Sequence, residues 1–220
     1  MKFFIIIKEK SQRIKKKNFV KLGNKQLWKH LILELRGQKV FVDTDSKKVI
    51  LNCKKNFPWV IAYPRKNFFI GLEEKQKKSP TLLMIDNFLN NFVKDNNEIV
   101  ICTHVTSPFL KLKTIKKAIK KLKKHDSVTS VTKHQEFSWM LKGKKNKKFF
   151  PINFNPKVVR KTQNLDPIYM SNGSFFIFRK KTFKKYNNRI GTNPYYYELK
   201  FPESVEIDNK EDLDLARKII

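Results

Sequence analysis

Two carboxylates stand close together near the C-terminal end of the sequence. They are Glu206 and Asp208, separated by Ile207. Residues 204–207 are predicted to form a strand, and side chains two positions apart on a strand project from the same face. Two oxygen ligands at a strand end suit Mg²⁺, which takes one or two carboxylates in addition to substrate phosphates. Alternatively, Asp208 caps the following helix and Glu206 faces solvent, and spacing alone does not separate these interpretations.

A second candidate segment, residues 8–18, directly follows an apolar run at residues 3–7 and is rich in lysine. It contains no glycine, which excludes the Walker loop and the GxGxxG dinucleotide-binding motif. Its cationic side chains and backbone N–H groups could still hold a phosphate. The ordinary alternative is a solvated surface loop. The residues with suitable side chains are Lys8, Ser11, Arg13, Lys17 and Asn18.

Polar residues also follow the predicted strands at residues 39–43 and 99–103. Asp45 and Ser46 come after the first, and His104 comes after the second. Ligands of open α/β sheets bind beyond the carboxyl ends of the strands, so these residues are site candidates. Each also has a structural interpretation, because Ser or Asp at a strand end is often a helix N-cap. A lone histidine is likewise more often a hydrogen-bonded structural residue than a base.

The apolar periodicity predicts the elements that would position these residues. Strands with continuous apolar runs alternate with segments of helical spacing, and a helix closes the chain. The predicted strands lie at residues 3–7, 39–43, 59–63, 99–103, 127–131, 174–178 and 204–207, and the predicted helices at 26–35, 81–92, 111–124 and 209–219. Repeated strand–helix units predict an α/β fold with an open, mostly parallel twisted sheet and helices on both faces.

The length of 220 residues fits a single α/β domain spanning residues 1–220. Within it, residues 133–170 break the pattern, with aromatic residues, scattered prolines and a Lys/Asn run at 142–148. This stretch is too long for an ordinary loop. We therefore predict an inserted arm, either functional or used for dimerisation.

The formal net charge of +30 and the isoelectric point of about 10.1 would ordinarily suggest nucleic acid or an anionic membrane as partner. However, only seven of the 49 basic residues are arginine, and Asn, Ile and Phe are also abundant, as is typical of A/T-rich coding. Proteins that read phosphates and bases favour arginine. Because zinc knuckles and RNP-type aromatic runs are also missing from the sequence, nucleic-acid binding is not expected.

The cysteines, Cys53 and Cys102, match no metal-binding or redox spacing and are predicted to be reduced, buried thiols. The apolar run at residues 3–7 is too short for a signal peptide, and no stretch approaches the ~18 apolar residues of a membrane-spanning helix. The sequence therefore predicts a cytoplasmic protein without membrane insertion.

Taken in order, these segments resemble the acylneuraminate cytidylyltransferase family, the synthetases of CMP-activated sialic acids and related nonulosonic acids. The family loop Arg-x-x-Ser-Lys-Arg-(Ile/Val)-x-x-Lys-Asn is similar to residues 8–18. Its Ser-Thr-Asp-Ser and Gln-Pro-Thr-Ser-Pro segments are similar to residues 43–46 and 104–108. Its Gln-Asp-Leu, Asn-Gly-Ala-Phe-Tyr and Asp-Ile-Asp-x-x-x-Asp segments resemble, in turn, residues 163–165, 172–176 and 206–212. The likeness covers essentially the whole chain.

The resemblance implies a nucleotide-diphospho-sugar-transferase-like, Rossmann-like fold. It also implies a reaction in which the anomeric hydroxyl of an acidic sugar attacks the α-phosphorus of CTP and pyrophosphate leaves. Mg²⁺ would be the cofactor, and a homodimer would form through the arm. An in-line displacement at phosphorus is driven mainly by positioning and charge neutralisation, which suits a cationic loop and a carboxylate pair.

The resemblance also implies a role for each candidate residue. The catalytic residues would be Lys8, Arg13, Lys17 and Asp208. The nucleotide-binding residues would be Lys8, Ser11, Arg13, Lys17, Asn18, Asp45, Arg65 and His104. The residues binding the acidic sugar would be Gln163, Arg160, Lys161 and Asn172. The Mg²⁺ ligands would be Glu206 and Asp208.

Four positions depart from the family pattern. Lys8 replaces an arginine, which keeps the charge but loses bidentate phosphate binding. His104 replaces a glutamine, and Glu206 replaces a shorter aspartate. The Arg-Pro segment that usually follows the third strand is present only as Pro64-Arg65.

Two other hypotheses remain open at this point. The chain could transfer a nucleotide to a different sugar acceptor, such as 3-deoxy-octulosonate. It could instead be a catalytically inactive basic protein that binds polyanions. Salt-sensitive polyanion binding without a CTP-induced rise in melting temperature would favour the second hypothesis.

Overall fold

The computed structural model describes residues 1–75, 79–143 and 146–220. Residues 144 and 145 of the predicted arm lie outside the described residues. The strands are β1 (Lys2–Ile7), β2 (Lys21–Leu22), β3 (Lys25–Gln26), β4 (Val40–Thr44), β5 (Val60–Pro64), β6 (Ile99–Thr103), β7 (Ser127–His134), β8 (Trp139–Lys142), β9 (Lys148–Pro151), β10 (Ile168–Arg179) and β11 (Pro194–Glu198). The helices are α1 (Leu27–Glu34), α2 (Lys47–Asn56), α3 (Asn67–Lys75), α4 (Thr81–Phe92), α5 (Leu112–Ile119), α6 (Lys180–Tyr186) and α7 (Lys210–Ile219).

Seven strands form one open sheet in the order β11-β7-β10-β6-β1-β4-β5. β1 pairs in parallel with β4 and β6, β4 pairs in parallel with β5, and β7 pairs in parallel with β11. β10 alone runs antiparallel to its two neighbours, β6 and β7. The predicted open, mostly parallel sheet is therefore confirmed.

Hydrophobic side chains cover both faces of the sheet. Phe3 and Ile5 of β1 pack on one face, in a cluster that takes in residues of α1, α2 and α5. Phe4, on the opposite face, stacks on Phe88 of α4 with ring centroids 4.6 Å apart. Burial on both sides explains why β1 has a continuous apolar run instead of an alternating pattern. The helices on both faces were predicted from the repeated strand–helix units.

Three neighbouring parallel strands, β6, β1 and β4, place their carboxyl ends side by side. The stretch at 8–18 leaves β1, Asp45 and Ser46 follow β4, and His104 follows β6. Parallel pairing thus brings three candidate segments to one edge of the sheet, as ligand sites in such folds require.

The predicted strand at residues 204–207 is wrong. Its backbone forms turns, in which the N–H groups of Ser204 and Val205 donate to the carbonyls of Lys200 and Pro202. The only further strand in this part of the described chain is β11, which the sequence did not predict. β11 begins with a proline and carries three consecutive tyrosines, so no clean alternation marks it.

The predicted irregular arm at residues 133–170 contains more regular structure than expected. β7 extends to His134, β10 already begins at Ile168, and β8 and β9 pair as an antiparallel hairpin between them. Helices α2, α3 and α6 were not predicted either. In α2 and α6 the high lysine content masks the apolar stripe.

Both cysteines are free and buried, as predicted. Burial raises the pKa of Cys102 to about 12 and that of Cys53 to about 11. Among the described residues, no helix is both long enough and apolar enough to cross a bilayer.

Candidate active site

The two ends of the chain meet at the carboxyl edge of the sheet. The Lys17 ammonium lies 2.7 Å from Asp208 Oδ1, although 191 residues separate the two in sequence. Arg13 Nη2 lies 3.1 Å from the same oxygen. Burial by itself would raise the pKa of Asp208, but the hydrogen bond and charge of Lys17, together with the charge of Arg13, lower it. Asp208 is therefore held ionised between two cations from the first loop.

Asp208 is not the cap of the last helix. Asn209 occupies the N-cap position of α7, and its side chain accepts from the Asp212 backbone N–H while the Asp212 carboxylate accepts from the Asn209 N–H. This capping box satisfies the helix start. The side chain of Asp208 is thus left available for Lys17 and Arg13, so the capping interpretation of Asp208 is wrong.

The second carboxylate, Glu206, is held from two sides. Thr106 Oγ1 donates to Glu206 Oε1 at 3.1 Å, and the Thr106 carbonyl accepts from the Ile207 N–H at 2.8 Å. Opposite them, a Cβ placed on Gly173 would lie 3.4 Å from each oxygen of the Glu206 carboxylate. Burial, reinforced by the charge of Asp208, raises the pKa of Glu206 to about 7. Glu206 therefore faces the site and not bulk solvent.

The loop that follows β1 is fixed at both of its ends. The buried Asn18 side chain donates to the Lys8 carbonyl at 2.9 Å. The Glu9 N–H donates to Asp45 Oδ1 at 2.8 Å, which joins this loop to the one after β4. Ser11 lies half-buried in the same loop. Asp45 and Asn18, predicted to bind the nucleotide, thus also shape the cationic loop.

Arg65 is buried beneath this loop. Its Nε lies 2.7 Å from Asp43 Oδ1, and its Nη2 donates to the carbonyls of Ile7 and Asp43 at 3.4 and 3.2 Å. These contacts tie the carboxyl ends of β1, β4 and β5 together. Ser46 precedes α2 at the N-cap position, but its hydroxyl makes no capping hydrogen bond.

His104 lies at the end of β6, where a small cleft opens beside it. Burial lowers the pKa of His104 to about 4, and the positive charges of Arg189, Lys17 and Lys8 act in the same direction. The imidazole is therefore neutral near pH 7. The influence of Lys17 and Asp208 on this pKa places His104 within the same electrostatic site.

Three of the four predicted sugar-binding residues lie away from the sheet edge, whereas Asn172 directly precedes Gly173 beside Glu206. Arg160, Lys161 and Gln163 are exposed on the arm, and within the described ranges no hydrogen bond or ion pair joins them to the sheet edge. Asn172 lies at the register shift of β10, where its Oδ1 accepts from Ser130 Oγ at 2.6 Å and its Nδ2 donates to Thr132 Oγ1 at 3.0 Å. The sugar-binding role of all four stays a prediction.

Sequence reasoning did not identify Arg189, which lines the cleft beside His104. It also did not assign Thr106 to the Glu206 carboxylate. The Thr-Ser-Pro resemblance at residues 106–108 was the only available signal for the threonine, and Arg189 had none.

A family model described as Cytidylyltransferase matches residues 5–219 of the chain. The chain is similar to an "N-acylneuraminate cytidylyltransferase" of Streptococcus agalactiae serotype III (strain NEM316), with 25% identity over 176 residues, covering 79% of this chain and 40% of the relative. It is also 32% identical over 135 residues to "N-acylneuraminate cytidylyltransferase A" of Danio rerio, covering 59% of this chain and 31% of the relative. The chain therefore spans less than half the length of these relatives.

Solved structures show the same fold. A 4-diphosphocytidyl-2C-methyl-D-erythritol synthase superposes with a TM-score of 0.67 at 8% identity, covering 99% of this chain and 98% of that one. A CMP:2-keto-3-deoxy-manno-octonic acid synthetase, complexed with CTP, superposes with a TM-score of 0.65 at 12% identity, covering 99% of this chain and 96% of that one.

Proposed function

The chain belongs to the cytidylyltransferase family, and we propose that it transfers CMP from CTP to the anomeric hydroxyl of an acidic sugar, with release of pyrophosphate. The observation that carries this proposal is the convergence of Lys17 and Arg13 on Asp208 at the carboxyl edge of the sheet. Cations that balance a carboxylate in this way can also neutralise a triphosphate placed beside it. The names of the Streptococcus agalactiae and Danio rerio relatives support CTP as the nucleotide and a sialic or related nonulosonic acid as the acceptor.

Glu206 and Asp208 fit a Mg²⁺ ion. Both offer carboxylate oxygens, and the charge of Asp208 acts on Glu206 strongly enough to help raise its pKa. In the described part of the chain no cluster of three or more His, Cys, Asp or Glu side chains could hold a metal, so substrate phosphates would supply further oxygens. When bound, Mg²⁺ supplies positive charge to the phosphate oxygens.

The protein's own side chains perform the remaining tasks. The cationic loop, residues 8–18, contains Lys8, Arg13 and Lys17. These side chains would neutralise and orient the triphosphate, so that the leaving pyrophosphate lies in line with the attacking hydroxyl. His104 stays uncharged and can donate one hydrogen bond and accept another beside the cleft. We assign proton removal from the sugar hydroxyl to no residue.

The proposal is tested by measuring pyrophosphate release from CTP with Mg²⁺ and a panel of sugar acids. The panel contains three sugar acids: N-acetylneuraminate, a nonulosonic acid without the acylamino group and 3-deoxy-octulosonate. A sugar phosphate, which has no carboxylate, is the control acceptor. We expect release with CTP and at least one acid, no release with ATP, and a CTP-induced rise in melting temperature.

Two results would contradict the proposal. One is the absence of pyrophosphate release with every acid on the panel. The other is salt-sensitive binding of generic polyanions without any stabilisation by CTP, which would favour an inactive binding protein. Release with 3-deoxy-octulosonate alone would support cytidylyl transfer and identify 3-deoxy-octulosonate, not a nonulosonic acid, as the acceptor.

Replacing Gly173 by alanine is expected to lower the rate of pyrophosphate release by about tenfold or more, because the added methyl would lie in contact with both oxygens of the Glu206 carboxylate and occupy the space beside them. Gly173 has a φ of +68°, so the substitution also costs about 1 kcal/mol of stability. Gly37→Ala is the matched control, because Gly37 has a φ of +77° and open space around the new methyl. Urea unfolding should show a similar loss in the free energy of unfolding for both variants. An equal loss in the rate of pyrophosphate release for both would rule out a specific effect on Glu206.

The predicted homodimer stays a prediction. It is supported by the arm, in which β8, β9 and the residues that flank them expose large apolar side chains. These are Phe137, Trp139, Met140, Leu141, Phe149, Phe150 and Ile152. Contiguous exposed apolar surface of this kind is typical of a protein interface.

A further inference from the structure

The loop between α6 and β11 is held in one conformation by Asp126. Asp126 Oδ2 accepts from the N–H groups of Thr192 and Asn193 at 2.8 and 3.0 Å, and the Gly191 N–H donates to Ser127 Oγ at 2.9 Å. The chain passes so close to this carboxylate that a Cβ on Gly191 would collide with it. Arg189 lies in this loop, two residues before Gly191, and its backbone is therefore held close to a fixed position.

The Arg189 side chain is half-buried, and among the described residues it has no counter-ion. It lies over the face of Phe176, with 3.5 Å between the guanidinium carbon and the ring centroid. Its Nη1 is buried and has no hydrogen-bond partner, and across the described ranges no ion pair includes this residue. Burial lowers the pKa of Arg189. A buried guanidinium N–H without an acceptor is unfavourable unless a partner arrives.

Arg189 lines the cleft beside His104. The same cleft is lined by Thr81 at the start of α4, by Thr103, and by the apolar Phe4 and Ile6. Its free volume is about 10 Å³, close to that of a single water molecule or oxygen atom. None of its lining residues is a carboxylate, and His104 is neutral, so the guanidinium is the only charged group in the lining. The cleft is therefore suited to one electron-rich oxygen.

We propose that Arg189 is a substrate-binding residue, whose Nη1 donates to one oxygen of an anionic substrate group that enters the cleft beside His104. The inference rests on the proposed function, which supplies two such groups. These are the triphosphate of CTP and the carboxylate of the sugar acid. Both present oxygens that a guanidinium binds strongly. The unpaired charge of Arg189 is then balanced only in the substrate complex.

The test compares wild-type protein with Arg189→Met and Arg189→Lys. Methionine keeps an unbranched side chain over Phe176 and removes the donor and the charge. KM is measured separately for CTP and for the sugar acid that the wild type consumes on the panel above, and melting temperatures are recorded without substrate. Lys185→Met, which removes an exposed cation from the neighbouring helix α6, is the matched control.

In Arg189→Met, we expect KM for one of the two substrates to rise by at least about tenfold, which a lost charge-assisted hydrogen bond can account for, while KM for the other changes by less than about threefold. The substrate affected identifies the source of the oxygen. The melting temperature should stay the same or rise, because a buried N–H without an acceptor has been removed. Arg189→Lys should recover part of the loss, and Lys185→Met should match the wild type.

Two outcomes would overturn the inference. Unchanged KM values for both substrates in Arg189→Met would show that no substrate oxygen binds there. An equal rise in both KM values with a fall in melting temperature would show that the side chain only supports the fold. Failure of the proposed function is distinguishable, because it would be seen in the wild type as a lack of pyrophosphate release.

Discussion

Replacing Asp208 by asparagine is expected to lower the rate of pyrophosphate release by about a thousandfold, the effect typical of removing a central electrostatic group from an active site. Asp208 is the point where Lys17 and Arg13 converge, and it is one of the two proposed Mg²⁺ ligands. Asparagine has the same shape but no charge. It would therefore bind Mg²⁺ less strongly and hold the side chains of Lys17 and Arg13 less firmly in place. Steady-state release of pyrophosphate at saturating CTP measures the effect.

The stability of this variant should change little. The Asp208 side chain is 35% exposed, and ion pairs at partly exposed positions contribute only about 0–1 kcal/mol. Asp214→Asn is the matched control, because Asp214 lies on the adjacent helix α7 and forms an exposed pair with Arg217 at 3.1 Å. If Asp208→Asn kept more than about a tenth of the wild-type rate, Asp208 would not be a catalytic residue.

Replacing Arg65 by methionine is expected to lower the free energy of unfolding by about 3–5 kcal/mol, because it breaks a buried ion pair in which Arg65 Nε lies 2.7 Å from Asp43 Oδ1. The side chains of Arg65 and Asp43 are 0% and 1% exposed. Arg65 also donates to the Ile7 carbonyl, so the variant loosens the strand ends that carry the cationic loop. Urea unfolding followed by far-UV circular dichroism gives the free energy.

The double variant Asp43→Asn/Arg65→Met separates the pair from the general effect of altering the core. Removing both charges should recover a large part of the lost stability, because Asp43 then carries no charge that Arg65 would have to balance. Arg217→Met removes an exposed arginine from a surface pair and should change the free energy of unfolding by less than about 0.5 kcal/mol. A loss below about 1 kcal/mol in Arg65→Met would contradict a supporting role for the buried pair.

Arg65 therefore has a supporting role in the structure that its resemblance-based assignment did not include. That assignment, to nucleotide binding, stays a prediction. The buried pair lies directly under the loop at residues 8–18, and the Asp45 contact with Glu9 lies beside it. We infer that the cationic loop is held ready for an anion before one arrives, which reduces the ordering entropy lost on binding.

Local sequence was sufficient to predict the central strands and the type of sheet. β1 and β6 are continuous apolar runs, and such runs between helical segments are typical of a parallel sheet buried on both faces. The cationic loop after β1 and the carboxylate pair before α7 have sequence motifs that can be recognised without a structure, so both could also be predicted. α7 was predicted close to its observed bounds, and the structure shows that Asn209 and Asp212 form a local capping box at its start.

Contacts between distant residues decided the rest. The segment at 204–207 has the alternation of a strand, but Ile207 is held by a single hydrogen bond to the Thr106 carbonyl, about which the local pattern contains no information. Arg189 lies on a loop that folds onto Asp126, and the pairing of Asp208 with Lys17 required both chain ends to reach the same sheet edge. The sequence by itself thus determined which residues could carry the chemistry. Only the tertiary structure decided which of them share a site, because pairing, burial and charge balance depend on neighbours far apart in the chain.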